Sequence, residues 1–191
     1  PEDIKKMSRA IQRQPIEVKV DAVLTHDETV LEQLFFEIQK HERNTALLAL
    51  FEHYQPGNAM VFCNTKKQCA EVAAFLQEHD IEAAAIHGDL DQRDRDQVLL
   101  QFTNNSCPVL VASDVAARGL DIPALAMVVN FELPRDGDTY VHRIGRTGRA
   151  GETGQAFSLV IPSEAPRLRV IEDHLDINCL CDVLESLIVI L

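Results

Sequence analysis

The stretch Val109-Leu110-Val111-Ala112-Ser113-Asp114-Val115-Ala116-Ala117-Arg118-Gly119-Leu120-Asp121-Ile122-Pro123 joins a near-continuous apolar run to a polar segment that carries an arginine, a glycine and carboxylates. Strands covered by helices on both faces read as such runs, because neither side of the pleat meets water. Runs of the same kind stand at Leu34 to Gln39, Ala59 to Asn64, Ala83 to His87, Met127 to Phe131 and Ala156 to Ile161. Amphipathic windows separate them: Leu47, Leu50, Phe51 and Tyr54 follow the helical i, i+3, i+4, i+7 spacing, and Cys69, Val72, Ala73 and Phe75-Leu76 approximate it. Pro56-Gly57 breaks the first helix, Asn104-Asn105 ends a third, and Pro162-Ser163 opens a last one around Leu168, Ile171 and Leu175. Alternation of this kind predicts an α/β domain with an open, mostly parallel sheet flanked by helices on both faces.

The two ends read differently. Ile4, Met7 and Ile11 lay one apolar stripe on a helix that stops before Pro15, and an acidic stretch without helical period runs on to about Val30. Leu180, Val183, Leu184, Leu187, Ile188 and Leu191 predict a short terminal helix with one apolar face. The expected organisation is therefore 1–29 as helix and linker, 30–176 as the core domain and 177–191 as an apolar helical tail.

Composition bounds the function. The chain has 191 residues, 46% hydrophobic and 25% charged, with 8 Gly and 8 Pro, which excludes collagen-like and wholly disordered classes. The terminal apolar stretch Leu187 to Leu191 is far shorter than the roughly 20 residues that span a bilayer, so no membrane association is expected. Neither a signal peptide before residue 20 nor a C-x-x-C pair occurs among the five cysteines, which predicts reduced thiols and a cytoplasmic protein.

A net charge of −12 runs against a self-sufficient nucleic-acid binder, which usually carries a basic surplus. The placement of the cations says more than their sum. All six lysines lie at or before Lys67, and beyond it every cation is an arginine, the residue whose planar fork donates two parallel hydrogen bonds to phosphate. The densest cluster is His142-Arg143-Ile144-Gly145-Arg146-Thr147-Gly148-Arg149-Ala150-Gly151. On a helical path its three arginines would spread over roughly a third of the circumference, and the glycines would let an anion come close. Arg146 and Arg149 are candidates for the charge-stabilising role in phosphoryl transfer, worth about 10³ to 10⁵ in rate. A complete nucleotide site also needs a G-x-x-x-x-G-K-[ST] loop and an acidic metal holder. The chain contains no Gly-Lys pair, so it is expected to supply part of a site.

In an open α/β sheet, ligands collect beyond the carboxyl ends of the strands, where Asn64-Thr65-Lys66-Lys67, His87-Gly88-Asp89 and Ser113 to Pro123 fall. Four segments, Val61-Phe62-Cys63-Asn64-Thr65, Gln92-Arg93-Asp94-Arg95, Ala112 to Ile122 and His142 to Arg149, resemble in order and spacing the later motifs of DEAD-box ATP-dependent RNA helicases. His87 to Gln97 and Val128 to Leu133 further resemble a bacterial ribosome-assembly branch of that family.

The resemblance implies a C-terminal RecA-like lobe over about 30–176, with Pro1 to about Gln14 similar to the closing helix of a preceding lobe. ATP with Mg2+ would be held mainly by that first lobe. Arg146 and Arg149 would reach the γ-phosphate, Asp121 the ribose hydroxyl, and His142 would couple nucleotide to closure. Asn64, Thr65, Gly88, Asp89, Arg95, Ser113 and Arg118 would lie along the RNA backbone, recognising it without reading sequence. No metal ligand is assigned to this chain, and the lone lobe is expected to lack ATPase activity.

Each role has a structural rival. Asp121 before Ile122-Pro123 suits a turn. Asp89 and Asp114 suit caps of the helices that follow. Arg95 stands between acids, and His142 suits a helix end. Phe62 reads as core, with a ring able to stack on an arginine of the Arg-Gly segment. Two whole-chain alternatives stay open: a non-catalytic module that dimerises through its apolar tail, and the lobe of a DNA helicase.

Overall fold

The computed structural model describes residues 31–148, 153–176 and the backbone of 181–183. Seven strands, β1 (Leu31–Glu37), β2 (Ala59–Cys63), β3 (Ala83–Ile86), β4 (Val109–Ser113), β5 (Met127–Asn130), β6 (Gly154–Val160) and β7 (Cys181–Val183), form one sheet in the order β3-β4-β2-β5-β6-β1-β7. Every pair is parallel. The helices are α1 (Arg43–Tyr54), α2 (Lys66–Gln77), α3 (Gln92–Thr103), α4 (Asp114–Ala117), α5 (Gly137–Ile144) and α6 (Ala165–Leu175). The α/β architecture read from the sequence is therefore the one observed, with helices on both faces.

Strand periodicity sorts the side chains into two layers. Val61 and Cys63 of β2, Val109 and Val111 of β4, and Met127 and Val129 of β5 pack with Leu47, Leu50 and Phe51 of α1 and Val72 and Leu76 of α2. Their neighbours Met60, Phe62, Leu110, Ala112 and Val128 face the other way, onto Phe102 of α3 and Ala116 and Ala117 of α4. On that same side Phe35, Ala156 and Val160 meet Tyr140 and Ile144 of α5 and Ile171 of α6. All five residues of β2 are buried, as its central position requires.

The helix ends match their punctuation. Gln55 takes a left-handed conformation (φ 43°) just before Pro56-Gly57, and Asn105 does so (φ 62°) after α3. A 3-10 turn at Pro162–Glu164 leads into α6.

Two expectations need correction. Cys181–Val183, read as part of an amphipathic helix, is a strand paired with Phe35, Phe36 and Glu37 of β1. The outer edge of β1 offers unpaired backbone groups to that segment, a demand that periodicity in sequence does not register. The helical path drawn through Arg143, Arg146 and Arg149 also fails, because α5 ends at Ile144. The remaining tail residues and the helix and linker of 1–29 lie outside the described residues.

Candidate functional site

Because the strands are parallel, the loops after β2, β3, β4 and β5 leave from one edge of the sheet, and the polar segments singled out by sequence meet there. Arg143 is at their centre. Its side chain is 1% exposed, yet it carries a guanidinium. Nε donates to Asp114 Oδ1 (2.6 Å) and Nη2 to Asp114 Oδ2 (2.9 Å), a bidentate pair. Nη2 also donates to Asn64 Oδ1 (2.9 Å), and Nη1 donates to Asn130 Oδ1 (3.1 Å) and the Glu132 carbonyl (2.7 Å). The guanidinium carbon lies 5.1 Å from the centre of the Phe62 ring, the stacking that sequence had allowed for Phe62. A buried charge persists when its donors are all engaged, and here one side chain ties the ends of β2, β4, β5 and α5 together.

Phe62 and this pair form the floor of a cleft whose wall includes Arg118, Thr139, His142 and Arg146. Arg146 is half-buried and reaches the end of α4 and the loop after it, Nη1 donating to the Leu120 carbonyl (3.2 Å) and Nη2 to that of Ala117 (3.3 Å). Its own carbonyl accepts from Leu125 N (3.1 Å), which fixes the turn in place. His142 and Arg118 are exposed on the rim, and Asp121, in the loop after α4, is exposed as well. Gly119 between them has φ +71°, a conformation that favours glycine. Arg149 lies outside the described residues.

The other predicted positions divide by what holds them. Asn64 is half-buried; its backbone N–H donates to Glu132 Oε2 (2.8 Å) and its Nδ2 to the Leu133 carbonyl (3.0 Å). Thr65 is exposed and caps α2, its hydroxyl accepting from Gln68 N (3.2 Å). Gly88 is exposed, with open space where a Cβ would stand. Asp89 pairs with Lys66 Nζ (2.6 Å), a contact that joins the loop after β3 to the start of α2 and holds the carboxyl below its usual range. Arg95 is half-buried and donates from Nη2 to the Ala116 carbonyl (2.6 Å), so it binds the α4 backbone. Ser113 is half-buried at the start of α4.

The cap proposed for Asp89 belongs to Asp91, which accepts from Asp94 N (2.8 Å). The carboxylate of Asp114 is taken by Arg143. Spacing alone places Arg143 among the cations without a task; the signal that marks it is its position in the last turn of α5, three residues before Arg146, pointing back into the fold. The donors gathered around the cleft are guanidinium and imidazole groups, a set suited to phosphate oxygens. Among the described residues no three His, Cys, Asp or Glu side chains gather as a metal site.

The helicase conserved C-terminal domain model matches residues 42–151, more than half of the chain. The chain belongs to that helicase domain family. Within it the DEAD-box group is shown by its relatives: this helicase domain is 48% identical over 178 residues to ATP-dependent RNA helicase DbpA of Escherichia coli K12, covering 93% of this chain and 38% of that protein. It is 41% identical over 176 residues to the DEAD-box ATP-dependent RNA helicase RhpA of Helicobacter pylori, covering 92% of this chain and 36% of the relative. The helicase domain thus spans under two fifths of the length of these relatives. Among solved structures it resembles the E. coli DEAD-box protein SrmB bound to regulator of ribonuclease activity A, with TM-score 0.76 and 36% identity over 82% of this chain and 93% of that one. It also resembles S. cerevisiae Dbp5 bound to RNA and ADP BeF3, with TM-score 0.81 and 26% identity, covering 100% of this chain and 51% of that one. The RecA-like fold expected from the motifs is the fold these helicase neighbours share.

Proposed function

We propose that this domain is the second lobe of an ATP-dependent DEAD-box RNA helicase, supplying arginine fingers and half of an RNA-backbone surface for local, ATP-driven duplex unwinding. The observation that carries the reading is the cleft itself. Arg118, His142 and Arg146 stand around the locked Arg143–Asp114 pair at the carboxyl edge of the sheet. Pre-set cations stabilise charge that develops on a transferring phosphoryl group without having to reorganise first. In this reading Arg146 and Arg149 meet the γ-phosphate, Asp121 accepts from the ribose hydroxyl, and His142 on the rim links nucleotide to closure of the lobes. Asn64, Thr65, Gly88, Asp89, Arg95, Ser113 and Arg118 take the RNA sugar-phosphate backbone, which suits binding that is indifferent to sequence.

The nucleotide arrives as substrate on the other lobe. Mg2+ belongs there too, since the cationic donors of this cleft fit phosphate and the Asp114 carboxylate is spent on Arg143. The cytoplasm as compartment and a part in ribosome assembly belong to the same proposal, supported by the cysteine pattern and by the resemblance of His87 to Gln97 and Val128 to Leu133. Self-association through the apolar tail belongs to the proposal as well, and sedimentation over a concentration series of the parent and of a chain lacking residues 177–191 tests it. The test is ATP turnover by the full-length protein with RNA, with DNA of the same sequence, and with neither. Stimulation by RNA alone is the expected result; equal turnover without RNA, or equal stimulation by DNA, would refute it.

A further inference from the structure

The side chains of Glu132, Arg43 and Glu164 have no part in the site as described so far, where Glu132 enters only through its carbonyl. They form a cluster directly behind the Asn64 loop. Arg43, at the start of α1, extends Nη2 to Glu164 Oε2 and Nη1 toward Glu132 Oε1 (3.6 Å), with its guanidinium carbon 5.7 Å from the centre of the Phe131 ring. The side chains of Arg43 and Glu164 are 9% and 7% exposed and that of Glu132 22%. Glu164 is held in turn by Arg167 (3.5 Å), whose Nη1 also donates to the Leu133 carbonyl (3.3 Å). The second oxygen of Glu132 accepts the backbone N–H of Asn64 (2.8 Å), and Asn64 Nδ2 donates to the Leu133 carbonyl.

A pair of oppositely charged clamps therefore grips one loop. Arg143 holds the Asn64 side chain from the cleft, and Glu132, anchored by Arg43, holds its backbone from behind. Long side chains hold a fixed geometry only when their own rotamers are locked, and Glu132 is locked at both oxygens.

We propose that Glu132 is a positioning residue for RNA binding: its carboxylate, braced by Arg43, fixes the backbone of Asn64-Thr65 in the conformation that meets the nucleic-acid backbone. This rests on the reading of Asn64 and Thr65 as RNA-contacting residues. Removal of Glu132 leaves Arg43 paired with Glu164, so the buried arginine keeps a counter-charge and the fold persists.

Two measurements on Glu132→Ala and Glu132→Gln test it. Hydrogen exchange in this chain reads the clamp directly. The Asn64 amide of Glu132→Ala should exchange about tenfold faster or more, the loss of one charge-assisted hydrogen bond. Glu132→Gln keeps an acceptor oxygen and should stay within about threefold of the parent. In the full-length helicase, Glu132→Ala should raise the RNA concentration for half-maximal ATPase by about tenfold with the KM for ATP unchanged, and Glu132→Gln should restore most of it. Unchanged exchange at Asn64, unchanged RNA half-saturation, or equal loss for RNA and ATP would each overturn the proposal. A parent enzyme without RNA stimulation would instead refute the helicase reading, and the exchange result would then stand as evidence on the clamp alone.

Discussion

Arg143 meets both carboxylate oxygens of Asp114, at 2.6 and 2.9 Å, across 29 residues of sequence, and so binds α5 to the start of α4. Arg143 is buried and Asp114 partly exposed at the floor of the cleft, and what the pair holds is the geometry of that cleft. Three further consequences can be measured.

Arg143→Ala should be among the most destabilising single changes in this domain. It strands Asp114 and removes the donors to Asn64 and Asn130, and breaking a buried pair on one side costs about 3 to 5 kcal/mol. Urea denaturation should show the loss, and Arg143→Lys should recover only part of it, because an ammonium cannot match the bidentate fork. A cost below about 1 kcal/mol would contradict the hub assignment.

Gly154 is required by what faces it. A Cβ there would stand 2.1 Å from Thr147 Oγ1 and 2.3 Å from the backbone N of Gly148, itself at φ +64°. Thr147 is buried, its hydroxyl donating to the Leu125 carbonyl, and it directly follows Arg146. Gly154→Ala must displace that turn, at about 1 to 3 kcal/mol of stability. Turnover by the full-length enzyme should fall more than the thermal shift accounts for. Parent-like stability and turnover would show that the turn yields freely.

Asp136 caps α5, accepting from both the N–H (2.8 Å) and the hydroxyl (3.0 Å) of Thr139. Those hydrogen bonds hold its carboxyl below the usual aspartate range. A group with a lowered folded-state value contributes its stability above the unfolded value, about 3.9, and loses it as pH falls through the folded one. Asp136→Ala should therefore cost about 1 kcal/mol at neutral pH, with the gap to the parent closing in strongly acidic buffer. A gap that stays constant with pH would remove the carboxylate from the account.

The sheet was legible in the sequence because its strands are buried on both faces and their apolar runs are short and punctuated. The boundaries slipped where polar residues belong to a strand. β1 begins at Leu31, ahead of the Leu34 expected, because Glu32 and Gln33 lie on the stretch of β1 that β7 does not reach. β6 begins at Gly154 and not Ala156, since its first residue is needed for close approach to Thr147 and Gly148. At the site, motif spacing identified Asn64, Arg118, His142 and Arg146, which line one edge. It sets Arg143 and Arg146 on one basic stripe and gives a task to the second alone. The helix ends between them, which buries the first and leaves the second in the wall of the cleft. Pairings such as Arg43 with Glu164, 121 residues apart, leave no local pattern to read.

The central claim is that the guanidinium of Arg146 acts on phosphoryl transfer, and single-turnover ATP hydrolysis by full-length Arg146→Ala with saturating RNA tests it most directly. The account predicts a loss of about 10³-fold or more, with RNA binding retained. Hydrolysis at the parent rate would contradict it.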